Sequence, residues 1–438
     1  MTSSAIKAFQ SISVLWIGTM AGAGLAFATQ VVLARVLGVE QFGAFSAALA
    51  MVTLVAPLAG FGVAGYWLNA FGREGWRARR WLPSSFRFLV FSTLLVLSLI
   101  LLWAWFGPHD ETTVWLLTIL ALHALGQAAI ELTSAKYQLE GRHLRLATWQ
   151  FLPHLGRFVL VVLFLYLVGT EHLATSHAAI VYAIVAVTML MFGAWQLSLM
   201  ARGRVELEGH SPLLPEVKPE TLEIPGSLDV VSASWPFGLA GIFYIIYFQS
   251  DLILLKYLAG ESAVGIYNVA FVVMTAVYLF PSVVYQKFLL PRFHRWAHHD
   301  VDKLRQAYRK GNLAMLVLGV AAMLLLWVLA PQMLPWLFGE QYLAAISLLI
   351  ILAVAIPFRF VASGAGAVLT TRNYIRTKVL LMGTAAVFNV VLNLLLIPFY
   401  GAKGAAIATV ITEFTVLLMY YGYSTSCLRQ IIYNHESI

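Results

Sequence analysis

The fold of this chain is decided by a stretch that occurs twice, as LARVLGVEQFGAFSAA at 33–48 and LLKYLAGESAVGIYNVA at 254–270. A second pair of related segments lies further along, LFLYLVG at 163–169 and LLLIPFYG at 394–401. Both pairs occupy corresponding places, which predicts two related halves. The aligned pairs in the first repeat, with one residue inserted, are Arg35 with Lys256, Leu37 with Leu258, Glu40 with Glu261, Gly43 with Gly265 and Phe45 with Tyr267.

The composition indicates the solvent in which these halves fold. Of the 438 residues, 61% are hydrophobic and only 11% are charged, and the mean hydropathy is +0.82. Ordinary soluble domains are roughly 45–50% apolar and about 25% charged. A soluble chain could not keep so much apolar surface out of water, so we expect an integral membrane protein. The single cysteine, Cys427, excludes an intrachain disulfide and a CxxC metal site.

Apolar segments near the ~20 residues that cross a bilayer recur along the whole chain. They predict an all-α integral membrane protein of about 12 transmembrane helices. We expect two pseudo-symmetric six-helix bundles that form a V-shaped central cavity. The predicted spans are 12–36, 42–66, 84–107, 113–135, 149–169, 176–200, 233–257, 265–290, 311–330, 343–370, 377–399 and 402–426.

The loop charges predict the orientation of these helices. The loops after every second span are basic, with residues such as Arg77, Arg80 and Lys303, whereas the opposite loops carry acids such as Asp110 and Glu340. By the positive-inside rule both termini are cytoplasmic. Six helices in each half is an even number, so the halves have the same orientation, and rocking them would open the cleft to alternate sides.

A polar segment with six acidic residues and four prolines separates the two halves. It is typical of an exposed, irregular linker. We therefore expect an N-terminal six-helix bundle at 1–200, a cytoplasmic linker at 201–232 and a C-terminal six-helix bundle at 233–438.

Two arginines lie near the middle of predicted spans, Arg157 in the fifth and Arg359 in the tenth. Charged side chains at membrane depth usually face a cavity or a partner. A guanidinium is always charged and binds phosphate bidentately, which indicates a substrate-binding role in a cationic cavity. The alternative is a structural ion pair with Asp251 or Glu413.

Those two acids, Asp251 and Glu413, are also candidates for ion coupling by H⁺ or Na⁺, with helix packing as the alternative. The embedded histidines, His123 and His154, fit hydrogen-bonded packing better than titration. Further amide side chains in the spans either line the cavity or bond between helices. These candidate cavity-lining residues are Gln30, Gln249, Asn268, Asn389 and Asn393.

Several enzymatic and pump motifs are absent from the sequence. It contains no GxxxxGK[ST], no HExxH and no GxSxG, so we expect neither a nucleotide-driven pump nor a hydrolase, and no cofactor. A His-His-Asp run at 298–300 fits a solvated loop better than a metal site.

Three segments carry a resemblance to a known family: VLARVLGVEQFGAFSAALA (32–50), FQSDLILLKYLAGESAVGIYNVA (248–270) and FNVVLNLLLIPFYGAKGAAIATVITE (388–413). Together they bracket nearly the whole chain. They are similar to the polysaccharide transporter family, whose members include O-antigen and capsule flippases. This family belongs to the multidrug/oligosaccharidyl-lipid/polysaccharide exporter superfamily.

The resemblance implies a flippase for undecaprenyl-diphosphate-linked oligosaccharide, such as an O-antigen, capsule or exopolysaccharide repeat unit. It would move this lipid from the cytoplasmic to the periplasmic leaflet of the bacterial inner membrane by alternating access, coupled to an ion gradient. A polysaccharide polymerase and a chain-length regulator are the implied partners. Arg157 and Arg359 fit the family's cationic cavity by position and charge, although neither lies in a matched motif.

Two other functions compete with this interpretation. A multidrug or cation antiporter of the same superfamily is disfavoured by a cationic interior, because like charges repel. A membrane-bound polysaccharide-modifying enzyme or polymerase is disfavoured by the short external loops and by the lack of a His or acid cluster at one interface.

Overall fold

The structure is a computed structural model, and it is almost entirely α-helical. It describes residues 3–169, 174–208, 223–289, 293, 301–369 and 375–436. No strand occurs in these ranges. The helices are α1 (Ser3–Val55), α2 (Val63–Glu74), α3 (Leu82–Phe106), α4 (Glu111–Leu139), α5 (His143–Val168), α6 (Thr175–Ala201), α7 (Ser227–Ala259), α8 (Glu261–Ser282), α9 (Val301–Phe338), α10 (Ala344–Ala353), α11 (Ala355–Val368), α12 (Ile375–Tyr400) and α13 (Ala402–Glu436).

Ten helical segments of the described chain are long and apolar enough to cross a membrane. The first, Ser13–Phe106, has 94 residues and is too long for one crossing of ~20 residues. It includes the predicted spans 12–36, 42–66 and 84–107, apart from a residue at each end. The chain is therefore an all-α membrane protein as predicted, while the count of twelve stays a prediction.

The tenth predicted span is divided into two helices near Pro357. Helix α10 ends at Ala353 and α11 begins at Ala355. Pro357 lacks the N–H that would bond to the carbonyl of Ala353, and its ring clashes with that carbonyl. The break therefore falls one turn before the proline, and it sets the start of the helix that carries Arg359.

Contacts between Cα atoms divide the chain into two units. The first unit is Met1–Thr29 and Ala48–Ile245, and the second is Gln30–Ala47 and Ile246–Ile438. Both α1 and α7 contribute residues to each unit. The ends of these units differ from 1–200 and 233–438, so the division into six-helix halves remains a prediction.

The first unit has an aromatic core near its predicted cytoplasmic end. Trp67 is fully buried there and its ring lies 5.6 Å from that of Phe86. Met200 and Val230 complete this core from α6 and α7. By contrast, Phe91 on α3 is 66% exposed, and it lies among further exposed apolar side chains on that helix. An apolar outer face of this kind suits contact with lipid chains.

Both described ends of the predicted linker pack on the first unit. Val205 and Leu207 are buried, and the Glu208 N–H donates to the Leu139 carbonyl at 3.0 Å. At the other end, the Ser84 hydroxyl donates to the Pro225 carbonyl. Residues 209–222 of the linker lie outside the described residues.

Within the second unit the repeated stretches cross at their matched glycines. A Cβ on Gly43 would lie 1.9 Å from the Glu261 carbonyl oxygen, and one on Gly265 would lie 2.1 Å from the Val39 carbonyl oxygen. Beside this crossing, the Asn268 amide donates to the Ser46 hydroxyl at 2.8 Å. Small residues permit such close approach between membrane helices.

The kinks before these glycines also match. Gly38 has φ 75° and ψ 175°, and Gly260 has φ 86° and ψ 172°, a conformation that side chains with a Cβ rarely adopt. This correspondence places the inserted residue of the second copy before Gly260, so that Gly38 matches Gly260 just as Gly43 matches Gly265. The predicted pairing of Glu40 with Glu261 is therefore off by one residue, and Glu40 matches Ser262.

Candidate functional site

Most of the predicted charged candidates lie in three clusters of buried and partly buried polar side chains, one in the first unit and two in the second. Each is named after its charged residue. The Arg157 cluster contains Arg157, Tyr182, His123, Gln127 and His154. The Arg359 cluster contains Arg359, Glu413, Tyr247 and Tyr278. The Asp251 cluster contains Asp251, Tyr267, Thr409, Asn393 and Asn389.

Asp251 is 3% exposed on α7 and accepts hydrogen bonds at both carboxylate oxygens. Its Oδ2 accepts from the Tyr267 hydroxyl and from the Thr409 hydroxyl, each at 2.6 Å. Its Oδ1 accepts from the Asn393 amide at 2.7 Å. Helices α8, α12 and α13 thus each supply one donor to the carboxylate.

A second layer of the cluster surrounds Asn389, one turn before Asn393. The Asn389 Oδ1 accepts from the Ser250 hydroxyl at 3.0 Å and from the Asn393 amide at 3.1 Å. The Asn393 Oδ1 is buried and has no hydrogen-bond partner in the part of the chain that the structure describes. Rotating the Asn393 side-chain amide by 180° would exchange its nitrogen and its oxygen. The oxygen would then lie beside the Asp251 carboxylate, where the nitrogen lies now.

The Asp251 cluster is therefore rich in oxygen and lacks a basic side chain. Among the described residues, Asp251 makes no ion pair with lysine or arginine. Buried carboxylates without a cationic partner are costly and usually functional in membranes. Carboxylate, amide and hydroxyl oxygens are ligands for hard cations. The cluster can hold a proton or a small cation such as Na⁺.

Arg359 and Glu413 form a direct ion pair in the second unit. Arg359 Nη1 lies 3.2 Å from Glu413 Oε1, and their side chains are 19% and 3% exposed. The same Nη1 donates to the Tyr247 hydroxyl at 2.9 Å. The guanidinium also lies 5.5 Å from the ring centre of Tyr247 and 5.4 Å from that of Tyr278. Arg359 thus forms the ion pair with Glu413 that the sequence left open as the alternative to substrate binding.

A second basic side chain, Lys378, lies near this pair. Its Cε is 3.8 Å from the position that a Cβ on Gly366 would take, next to the ring of Tyr420. Arg359 acts electrostatically on both Lys378 and Tyr420. Within the described ranges Lys378 makes no ion pair with a carboxylate. The interior of the second unit therefore has two cations against one acid at this place.

Arg157 has a different environment in the first unit. Its guanidinium carbon lies 4.6 Å from the ring centre of Tyr182, a cation–π contact. In the described chain it makes no ion pair, and its buried Nε has no hydrogen-bond partner. The nearby His123 is 3% exposed and bonds to Gln127 at 3.2 Å. Arg157 is thus a cation without an anionic partner among the described residues.

The remaining candidates are more dispersed. Asn268 is buried beside Ser46, as in a bond between helices. Gln249 is partly buried on α7, and its Oε1 has no partner among the described residues. Gln30 is partly buried on α1. Their role as cavity-lining groups stays a prediction.

Reasoning from sequence missed the neutral partners in these clusters. Tyrosine and threonine also occur in apolar helices as ordinary packing residues, so nothing in the sequence marks these partners as polar contacts. They are Tyr267, Thr409, Tyr247 and Tyr278. One signal was available in the repeat, where Tyr267 replaces Phe45 and adds the hydroxyl that bonds to Asp251.

Outside the predicted spans, charged residues at the end of α4 form a network that is partly buried. Arg142 bonds to Glu206 at 3.0 Å, and this hydrogen bond raises the pKa of Arg142. Lys136 and Glu140, both 2% exposed, form a buried pair at 3.1 Å. These contacts connect α4 to the start of the linker.

Comparisons with known proteins bear on the family and the fold of the chain. The family model described as "Polysaccharide biosynthesis protein" matches residues 8–296. The "Probable low-salt glycan biosynthesis flippase Agl15" of Haloferax volcanii is 24% identical over 432 residues, which cover 97% of this chain and 84% of that protein.

Solved structures show the same fold at lower identity. An inward-facing multidrug resistance MATE family transporter of the MOP superfamily matches with a TM-score of 0.67 and 16% identity, over 97% of this chain and 98% of the other. The lipid II flippase MurJ matches with a TM-score of 0.69 and 15% identity, over 93% and 86%. These relatives are flippases and transporters rather than enzymes. The chain is therefore a multi-pass membrane protein that belongs to the polysaccharide biosynthesis protein family, as its repeated segments predicted.

Proposed function

We propose that this protein flips undecaprenyl-diphosphate-linked oligosaccharide, the repeat unit of an O-antigen, capsule or exopolysaccharide, from the cytoplasmic to the periplasmic leaflet by alternating access. The observation that carries the proposal is Arg157, a partly buried cation without a carboxylate partner in the described chain. Membership of a polysaccharide biosynthesis family and the glycan flippase of Haloferax volcanii support this class of substrate.

The physical argument starts from the cost of the charge. An arginine inside a membrane protein is retained at a cost of at least ~2.5–3.5 kcal/mol on insertion scales. The ring of Tyr182 offsets part of this cost by a cation–π contact, but it leaves the positive charge uncompensated. A diphosphate supplies two negative groups, and a guanidinium binds phosphate in bidentate geometry. The lipid-linked diphosphate is thus the missing counter-ion.

The MATE-like fold alone would also admit a multidrug antiporter. These two cations argue against cationic drugs, because Arg157 and Lys378 are partly buried and have no carboxylate partner within the described ranges. A cationic ligand at either place would meet like charge.

The test is flipping of the diphosphate-linked lipid in proteoliposomes. We expect Arg157→Ala to lower the initial rate by about 10-fold or more, since a buried charge-assisted contact contributes roughly 1.5–3 kcal/mol. Arg145→Ala is the matched control, because Arg145 is exposed on the same helix. Equal rates for Arg157→Ala and this control would refute the assignment. Transport of a cationic drug but not of the lipid would favour the antiporter.

We propose further that the Asp251 cluster binds the coupling ion, H⁺ or Na⁺. Asp251 has no cationic partner in the described chain, whereas Glu413 is paired with Arg359, so coupling is assigned to Asp251 alone. Asp251→Asn should abolish the acceleration of flipping by an imposed Na⁺ or proton gradient. The exposed Asp302→Asn is the control. If Asp251→Asn leaves the gradient response intact, the cluster is structural.

The predicted orientation completes the proposal. Both termini would lie in the cytoplasm of a bacterial inner membrane, with a polysaccharide polymerase and a chain-length regulator as partners on the pathway. In a Cys427→Ser background, a cysteine at Asp110 should react with a membrane-impermeant maleimide in intact cells and one at Arg77 should not. The reverse pattern would invert the topology.

A further inference from the structure

The Arg359–Glu413 pair is not explained by stability. Taking two charges out of water costs about as much as their attraction returns, and well-packed apolar residues often stabilise such a place equally well. Glu413 is 3% exposed, so nearly the whole desolvation cost of its carboxylate is incurred. The pair therefore calls for a functional reason.

The geometry of the pair is that of an exchangeable contact. The Nη1–Oε1 distance of 3.2 Å exceeds the ~2.7–2.9 Å of a strong charge-assisted hydrogen bond. The same Nη1 is closer to the Tyr247 hydroxyl, at 2.9 Å, so it is shared between two acceptors. The Tyr247 hydroxyl also interacts with the Glu413 carboxylate. Glu413 thus holds the guanidinium without a short direct bond.

The two partners differ in access. The Arg359 side chain is 19% exposed, while that of Glu413 is 3% exposed. Part of the Arg359 side chain is therefore open to an anion, while the Glu413 side chain is covered. The rings of Tyr247 and Tyr278, with centres 5.5 and 5.4 Å away, also flank the guanidinium. These rings keep Arg359 in place when its anionic partner changes.

We propose that Glu413 is an internal counter-ion that competes with the anionic headgroup of the substrate for Arg359. This inference rests on the proposed function. In the empty protein Glu413 neutralises Arg359. A diphosphate that enters beside Lys378 takes over the guanidinium, and Glu413 takes it back as the substrate leaves. The carboxylate thereby limits affinity and favours release on the far side.

This role distinguishes the two arginines. Arg157 has no competing carboxylate among the described residues, so an anion meets a permanently available cation there. Arg359 becomes available only when Glu413 gives way. A transporter needs both kinds of site, because a substrate held by uncompensated cations alone binds tightly and dissociates slowly.

The test measures binding of undecaprenyl diphosphate to the purified full-length protein and, in parallel, the flipping rate. Glu413→Gln keeps the shape and removes the charge, so we expect about 10-fold tighter binding, within the 5- to 150-fold range of typical couplings. Dissociation and flipping should both be slower. Arg359→Gln should weaken binding. In the double variant, the gain from Glu413→Gln should disappear.

The double variant separates competition from a general field effect. If Glu413→Gln tightens binding equally with and without Arg359, the carboxylate acts only through its charge and the proposal is overturned. Unchanged or weaker binding by a folded Glu413→Gln protein also overturns it. Should that variant fail to fold, Glu413→Asp retains the charge but shortens the reach, and tighter binding than in the wild type is expected from it as well.

Binding by the wild-type protein tests the proposed function separately from the role of Glu413. If the wild-type protein binds undecaprenyl diphosphate no better than uncharged undecaprenol, the proposed function fails. If it prefers the diphosphate but Glu413→Gln gains no affinity, the proposed function survives and only the counter-ion role of Glu413 is refuted.

Discussion

The close crossing of the two repeated stretches predicts how strongly an added Cβ at Gly43 destabilises the protein. In Gly43→Ala the new Cβ would lie 1.9 Å from the Glu261 carbonyl oxygen, 2.8 Å from its carbon and 2.9 Å from the Gly265 nitrogen. Real Cβ atoms essentially never approach closer than 3.0 Å, so the helices must separate by roughly 1.1 Å. All these neighbours are backbone atoms, which cannot move aside as a flexible side chain can.

The expected cost follows from overpacking. Inserted methyl groups in well-packed interiors cost typically about 1–3 kcal/mol and occasionally more, and a clash with backbone belongs at the upper end. The separation would also lengthen the 2.8 Å bond from Asn268 to Ser46. We therefore expect Gly43→Ala to lower the free energy of unfolding by about 3 kcal/mol, measured by thermal unfolding in detergent.

The control is Gly24→Ala on the same helix, where a Cβ would meet nothing within 4 Å. This exposed change should be neutral or stabilising by up to about 1 kcal/mol, because alanine is the better helix former. Equal stability of the two variants would refute the reasoning. In addition, Gly43→Ala with Gly265→Ala should cost less than the sum of both single changes, since one separation relieves both clashes.

Further expected outcomes concern the polar clusters. Thr409→Val should weaken Na⁺ or proton coupling by removing one donor to Asp251, seen as a higher ion concentration for half-maximal flipping. Lys378→Gln should weaken binding of undecaprenyl diphosphate about 10-fold, in line with the loss of one charged contact; unchanged binding would exclude it from the site. Glu140→Ala should lower unfolding stability by about 3 kcal/mol, because it leaves Lys136 buried without a carboxylate and with only the Gln196 amide oxygen as acceptor. Arg73→Ala should have little effect on unfolding stability, because Arg73 is 69% exposed in its pair with Glu74.

The candidate site was only partly predictable. Arg157, Arg359, Asp251 and Glu413 stand out in sequence because an ionisable residue in an apolar helix is expensive wherever it points. Their partners do not stand out. The sequence left a pair between either arginine and either acid open, and the structure pairs Arg359 with Glu413 and leaves Arg157 without an acid in the described chain.

The sequence by itself determined the solvent, the helical class and the repeat. The length and composition of an apolar segment are properties of one stretch of chain, and a bilayer accepts only helices or closed barrels across it. The sequence also contains the two glycines of the close crossing, because Gly43 and Gly265 are matched in the repeat.

Only the tertiary structure decided which polar groups meet. Asp251 receives its donors from three helices far apart in sequence, and a rotation of any one of them by a fraction of a turn would break the arrangement. Rotation and crossing of helices depend on the packing of many side chains at once. No single segment contains that information, so the partners of each buried charge were settled only by the packed helices.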